Sequence, residues 1–189
     1  MRTVQISQEE MEEQRVARFE ELVTWDVQRS PDVPLDVLDL LYARELCMAV
    51  APAGLTGPFA NTAPIKDADF SMTWAKCPPG QGPGLHSHDQ TTETFTCIRG
   101  RFRIYWGGDG EHEVVLDELD TCSVPPGVIR GFQNVGETDG ILQVLITGGV
   151  SDMDDITMVP EYRERIRSFG EAALAGIEST GLRFDAGME

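Results

Sequence analysis

The sequence predicts an all-β barrel or sandwich with helical extensions at both ends. Two observations carry this reading. From Ala68 to Thr147 the chain runs in short segments rich in Phe, Thr, Val, Ile and Trp, separated by CPPGQGPG, IRG, GGDG, VPPG and NVGETDG. That alternation of strand-forming and turn-forming composition is what a closed or stacked sheet requires. On either side the composition shifts to charged segments whose apolar residues recur at helical spacing. The chain therefore divides into an N-terminal helical extension and loop (1–67), a barrel (68–150) and a C-terminal helical extension (151–189).

Taken in order, Val16, Phe19, Val23 and Val27 recur among many charges between Gln8 and Gln28, which predicts one amphipathic helix packed on the barrel or on a second subunit. Pro31 and Pro34 end it. Leu35 to Ala43 reads as a short second helix, and the Gly- and Pro-bearing stretch from Pro52 to Pro64 as a loop. Within the barrel, side chains alternate between faces, so Glu93, Phe95 and Cys97 share one face. Phe102, Ile104 and Trp106 make an apolar face opposite Arg101, Arg103 and Tyr105, and Met72, Trp74 and Phe132 are expected to add to the interior. After Gly149 an acidic SDMDD segment leads to Pro160, then to EYRERIRSFGEAALAGIE, which reads as helix interrupted at Gly170.

Composition limits the partners. A chain of 189 residues supports one well-buried core. Its net charge of −17 argues against a nucleic acid or an anionic membrane, both of which need a positive surface, and in favour of a small-molecule ligand. No apolar run is long enough to span a bilayer, and MRTVQISQEEMEEQ lacks the apolar core of a secretory signal, so the expected localisation is cytoplasmic. Cys47, Cys77, Cys97 and Cys122 form no CxxC pair and suit reduced, mostly buried thiols. The amphipathic ends suggest a homodimer.

The chemistry concentrates between Gly80 and Gly100. Two of the three histidines, His86 and His88, stand one residue apart there, with Glu93 following. On an extended strand both imidazoles leave the same face, so one cation can meet both. Two imidazoles and a carboxylate suit iron, manganese, nickel, copper or zinc, and leave open positions for water, substrate or dioxygen. No nucleophile elbow, phosphate loop or dinucleotide fingerprint is present, so a metal is the candidate for demanding chemistry.

The spacing Gly80, five residues, His86, Ser87, His88, four residues, Glu93, six residues, Gly100 resembles the first cupin motif. The stretch LDTCSVPPGVIRGFQN, Leu119 to Asn134, resembles the second, with Asp120, Pro125, Gly127 and Asn134 in place. Leu119 stands where that motif has glycine, and Arg130 where it has the histidine that supplies the usual fourth protein ligand. The resemblance covers about 80 central residues. It implies a double-stranded β-helix, the jelly-roll cupin barrel. It also implies that His86, His88 and Glu93 hold a divalent transition metal, iron first, with manganese, nickel, copper or zinc as alternatives.

A guanidinium offers only donors and cannot ligate a metal. Arg130 is therefore expected to have one of three roles: binding a substrate carboxylate, enolate or phosphate beside the metal as a catalytic and substrate-binding residue, pairing with Glu93, or leaving the barrel to cap a carbonyl. Phe95 is expected to wall the substrate pocket. Cys97 lies about 13 Å along the strand from Glu93, too far to ligate. Gln133 and His112 are weaker candidates for a further ligand. The function these residues point to is a non-haem dioxygenase-like oxidoreductase acting on a small enol, diketone or phenol. The alternatives are a redox-neutral isomerase or lyase, and a module that binds a small anion without turnover.

Overall fold

A computed structural model describes residues 3–55, 62–148 and 155–188. Two sheets face each other. One runs in the order β2 (Ile65–Ala68), β1 (Glu45–Pro52), β3 (Phe70–Cys77), β10 (Gly140–Thr147), β5 (Thr92–Arg99), β8 (Thr121–Val124). The other runs β11 (Ile156–Met158), β4 (His86–His88), β9 (Arg130–Asn134), β6 (Phe102–Trp106), β7 (His112–Leu116). Among the described residues the strands pair antiparallel except β1 with β2, and an isolated parallel bridge joins Thr157 to Arg183. This is the double-stranded β-helix expected from the sequence, with helices at both ends. Among the described residues no helix is long and apolar enough to cross a membrane.

The alternation of side chains sets the core. In β5, Glu93, Phe95 and Cys97 point inward and their neighbours outward, and in β6 Phe102 and Ile104 are fully buried. On β3 the inward residues are Thr73, Ala75 and Cys77. Met72 and Trp74, expected inside, therefore lie on the outer face, where Phe19 packs edge-on against Trp74. The cysteines are all free. Burial pushes the thiols of Cys77 and Cys97 up to about 12 and 11, so both stay protonated and inert.

The two sequence motifs clasp each other at the barrel's end. Gly80 donates its N–H to the Asn134 carbonyl, and Asn134 returns its own N–H to Gln81. The Asn134 amide group donates to the carbonyls of Cys77 and Thr138 and accepts from Gly136 N–H. Nearby, Gly82 lies so close to β9 that a Cβ there would stand 2.0 Å from the Phe132 carbonyl oxygen. Only glycine fits this approach.

The ends differ from expectation in part. The single helix expected over 8–28 is instead α1 (Gln8–Arg15), closed by a Ser7/Glu10 capping box, followed by extended chain with 3-10 turns at Phe19–Glu21 and Asp26–Arg29. No residue of α1 is buried, so nothing drives the helix onward. The apolar residues beyond it pack on the sheet as an arm: Trp25 N–H bonds the Leu46 carbonyl and Val27 is buried. The short second helix is present as α2 (Leu35–Leu41). β1 and β2 lie within the segment read as helix and loop, and both join the first sheet. Residues 56–61 of the expected loop, and 151–154 of the acidic segment, lie outside the described residues. The C-terminal helices are α3 (Glu161–Arg167) and α4 (Glu171–Glu178), separated at Gly170, whose φ of 121° no other residue type adopts readily. They bury Ile166, Leu174 and Ile177.

Candidate metal centre

His86 and His88 project from β4 on one sheet toward Glu93 on β5 of the other. Their Nε2 atoms stand 3.6 Å and 3.7 Å from the same oxygen, Glu93 Oε2. All three side chains are buried, and their candidate ligand atoms lie within 4.8 Å of one another. The sequence expectation of a three-residue cluster is met in space.

The protons in this cluster follow from its neighbours. His86 Nδ1 lies 2.8 Å from the Gly84 carbonyl, which can only accept, so Nδ1 carries a hydrogen and Nε2 is the ring nitrogen turned to the centre. His88 Nδ1 lies 2.9 Å from Thr91 Oγ1 and 3.1 Å from Asp155 Oδ2. The Thr91 hydroxyl donates to Asp155 in a short hydrogen bond, and the Gln90 N–H donates to the other Asp155 oxygen across 2.7 Å. Burial raises the Asp155 carboxyl, but these hydrogen bonds from His88, Thr91 and Gln90 outweigh it and hold its pKa at about 2. Ionised Asp155 only accepts, so His88 also keeps its hydrogen on Nδ1. Burial lowers the His88 pKa, against the opposing pull of Glu93 and Asp155. Glu93 is likewise raised by burial, but His88, Arg130 and His86 together hold it well below the usual carboxylate range.

Both Nδ1 atoms are thus engaged by acceptors, which leaves the two Nε2 atoms facing the Glu93 carboxylate as the candidate ligand atoms. Separations of 3.6 Å and 3.7 Å are too long for hydrogen bonds and close to the roughly 3 to 3.5 Å between two atoms that share a first-row cation at about 2.1 Å each. The donor set fits a divalent transition metal held by His86 Nε2, His88 Nε2 and Glu93.

Arg130 is fully buried on β9, directly across from His86 in the pairing with β4. Its Nε–H donates to Glu93 Oε2 at 2.9 Å and its Nη1 to the Val128 carbonyl at 2.9 Å, while Nη2 has no hydrogen-bond partner among the described residues. Of the roles open to it, the pairing with Glu93 is realised, and the carbonyl it caps, that of Val128, is reached from within the barrel and not by leaving it. A carboxylate has about four lone-pair directions, so the bond from Arg130 leaves Glu93 able to ligate.

Beside the cluster lies a cavity of about 130 Å³. Glu93, His86 and His88 form part of its wall, and the rest is largely apolar: Leu46, Met48, Val144, Ile146, Ile156 and Met158 among others. Neither Arg130 nor Phe95 lines it. Phe95 is packed edge-on against Phe132 at 5.4 Å, further into the barrel, and it is Phe132 that reaches the cavity. The two residues expected to touch a substrate therefore stand behind the wall. No Lys or Arg lines the cavity among the described residues. His112 is exposed and stacked near Trp106, and Gln133 faces outward to Gly80 and Arg103, so neither is a ligand.

Sequence reasoning missed Asp155 and Thr91, and missed that the N-terminal arm (Trp25, Leu41, Tyr42) and the C-terminal segment (Leu182) close the cavity. Asp155 ends the SDMDD run, and a lone buried acid within an acidic stretch carries no signal that separates it from its solvated neighbours.

Residues 73–146 match the family described as the cupin domain. No curated protein matches the chain. Among solved structures, an uncharacterised conserved protein with a double-stranded β-helix domain from Klebsiella pneumoniae is 24% identical, over 44% of this chain and 70% of that one, with a TM-score of 0.40. An oxalate oxidase in complex with the substrate analogue glycolate is 22% identical over 55% and 50%, TM-score 0.43. A structure reported for DMSP lyases is 18% identical over 60% and 52%, TM-score 0.44. The chain spans about half the length of the last two, and these likenesses concern the fold alone. The two facing sheets and the paired motifs agree with the family match: residues 73–146 of this chain are a cupin domain.

Proposed function

We propose that this protein is a metal-dependent enzyme, an iron oxygenase in its most specific form, acting on a small neutral enol, diketone or phenol. The observation that supports this reading above the others is the convergence of His86 Nε2, His88 Nε2 and the Glu93 carboxylate, three potential metal ligands, in the wall of a largely apolar cavity. Two imidazoles and one carboxylate form the donor set of non-haem iron oxygenases, and a bound iron would polarise a coordinated substrate oxygen and supply dioxygen chemistry.

The chain's own residues select the substrate. A cavity of about 130 Å³ is near the roughly 150 Å³ that accommodates a single benzene ring. With no cationic side chain in the wall and a net charge of −17 on the chain, an anionic substrate has little to recognise. A neutral ring or short diketone, ionising only on coordination, fits better. The anion-binding alternative loses its basis because Arg130 is committed to Glu93 and Val128 and stands outside the cavity. The apolar walls exclude water from the cluster and strengthen every electrostatic interaction inside it.

The test is metal content by plasma mass spectrometry on untagged protein, beside a His86→Ala/His88→Ala variant, followed by oxygen consumption with enols, diketones and phenols. About one metal per chain, lost in the variant, together with substrate-dependent oxygen uptake supports the proposal. Failure to take up iron, manganese, nickel, copper or zinc on reconstitution overturns it. Metal without oxygen uptake directs the reading to redox-neutral isomerisation or elimination.

A further inference from the structure

We infer that Asp155, which lies beyond the cupin domain, is a positioning residue for the metal centre: it fixes His88 in the Nδ1–H tautomer, so that the Nε2 lone pair faces Glu93. Asp155 is tied to residues 88–91 by four hydrogen bonds. Its Oδ2 is 3.1 Å from His88 Nδ1 and takes the Thr91 hydroxyl proton, its Oδ1 takes the Gln90 N–H, and its backbone carbonyl takes the Asp89 N–H at 2.9 Å. Because the Thr91 hydrogen points at Asp155, Thr91 Oγ1 is left to accept from His88, and both neighbours of Nδ1 are acceptors. The opposite tautomer would place the Nδ1 lone pair against two oxygens and a hydrogen against the cluster. A carboxylate behind an imidazole also raises its basicity as a ligand, and loss of such a partner typically costs 10- to 100-fold in metal affinity.

The arrangement has a consequence for the chain as a whole. Asp155 leads directly into β11, whose Ile156 pairs with His88 and Met158 with His86. The strand that covers the metal-ligand strand therefore arrives together with the carboxylate that orients one of its ligands. The sequence beyond residue 146 is part of the site, not an appendage to it.

The tautomer stands independently of the metal; the effect on affinity rests on the function proposed above. The test is nitrogen NMR of the histidine side chains in metal-free, uniformly labelled protein near pH 7.5, in the wild type, in Asp155→Asn and in Asp155→Ala. The expected result is a protonated Nδ1 and bare Nε2 for His88 in the wild type, moving toward Nε2–H in both variants, because an asparagine amide can donate to Nδ1 and alanine frees the Thr91 hydroxyl to donate there. Zinc affinity by chelator competition is expected to fall 10- to 100-fold in Asp155→Ala, with partial recovery in Asp155→Glu. An Nε2–H tautomer in the wild type overturns the inference without any variant, as does an unchanged tautomer in both variants. If the tautomer responds but the wild type takes no metal, Asp155 keeps its role and it is the metal function that falls.

Discussion

Arg130 Nε lies 2.9 Å from Glu93 Oε2, the same oxygen that both histidines face at 3.6 Å and 3.7 Å. The cation that replaces the usual fourth ligand thus leans on the third. This does two things. With His88 it holds the buried Glu93 carboxyl below its usual range, and it adds a positive charge next to the place where a divalent cation would sit. The carboxylate is held in place, and a metal here is expected to be bound more weakly than in a four-ligand centre.

Replacing Arg130 by Met leaves the Glu93 carboxylate buried without its partner, and is expected to destabilise the metal-free protein by about 3 to 5 kcal/mol. The double variant Arg130→Met/Glu93→Leu removes both charges and is expected to recover most of that loss, which urea unfolding of the three proteins measures. Arg130→His is expected to restore a four-ligand set and tighten zinc binding at least tenfold, read by chelator competition. Unchanged zinc affinity in that variant would mean that position 130 does not reach the centre.

Much of this was legible in the sequence, for identifiable reasons. His86, His88 and Glu93 stand at short spacings on consecutive strands, close enough in sequence for the motif to be read, although it is the facing of the two sheets that brings Glu93 to the histidines. The barrel strands announced themselves because each is bounded by glycine or proline turns. The cavity walls were not legible, since Trp25, Leu46 and Leu182 reach the site through tertiary packing that no local period encodes. Val16, Phe19, Val23 and Val27 are spaced like a helix face but serve an arm held by the sheet, a case of tertiary contacts overriding local pattern. Met72 and Trp74 are apolar and expected inside, but the parity of β3 puts Thr73, Ala75 and Cys77 there and turns these two outward.

Filling the cavity separates substrate binding from metal binding. Val144 lines the cavity on β10 and touches no ligand bond, so Val144→Phe is expected to leave metal stoichiometry and affinity within about twofold while lowering turnover of a ring substrate at least tenfold. Metal analysis and oxygen uptake on the same preparation check both halves. Overpacking in a full core costs about 1 to 3 kcal/mol, and the existing void should hold the cost to the low end of that range.

Acid is expected to weaken the metal-free protein in two windows. The folded-state pKa of His88 lies below its ordinary 6.5, so below pH 6.5 the unfolded chain binds more protons than the folded one. Its contribution is complete above pH 6.5 and is lost as the pH falls toward the folded value, with a slope of at most about 1.4 kcal/mol per pH unit for one proton. The carboxylates make the second loss, Glu93 below its ordinary 4.5 and Asp155 between its ordinary 3.8 and its folded value of about 2. Calorimetry from pH 7.5 to 5 should show a falling Tm that flattens in His88→Gln. An equal slope in the variant would assign the first loss to another group.

Leu119, where the second motif has glycine, is the only non-glycine residue with positive φ among those described, at 74°. The left-handed conformation costs an L-residue roughly 1 to 2 kcal/mol, and the Leu119 side chain is 78% exposed, so it recovers little by burial. The backbone is held there by the turn between β7 and β8, where Leu119 N–H bonds the Cys97 carbonyl and Cys97 N–H bonds the Asp120 carbonyl. Glycine removes the strain but adds about 0.4 to 1 kcal/mol of unfolded-chain entropy. The balance favours Leu119→Gly by about 0.5 to 1 kcal/mol, visible as a higher urea midpoint at unchanged slope. Leu119→Ala, which keeps the Cβ, should gain nothing, and an equal gain from both variants would locate the effect in the exposed leucine side chain, not in the backbone.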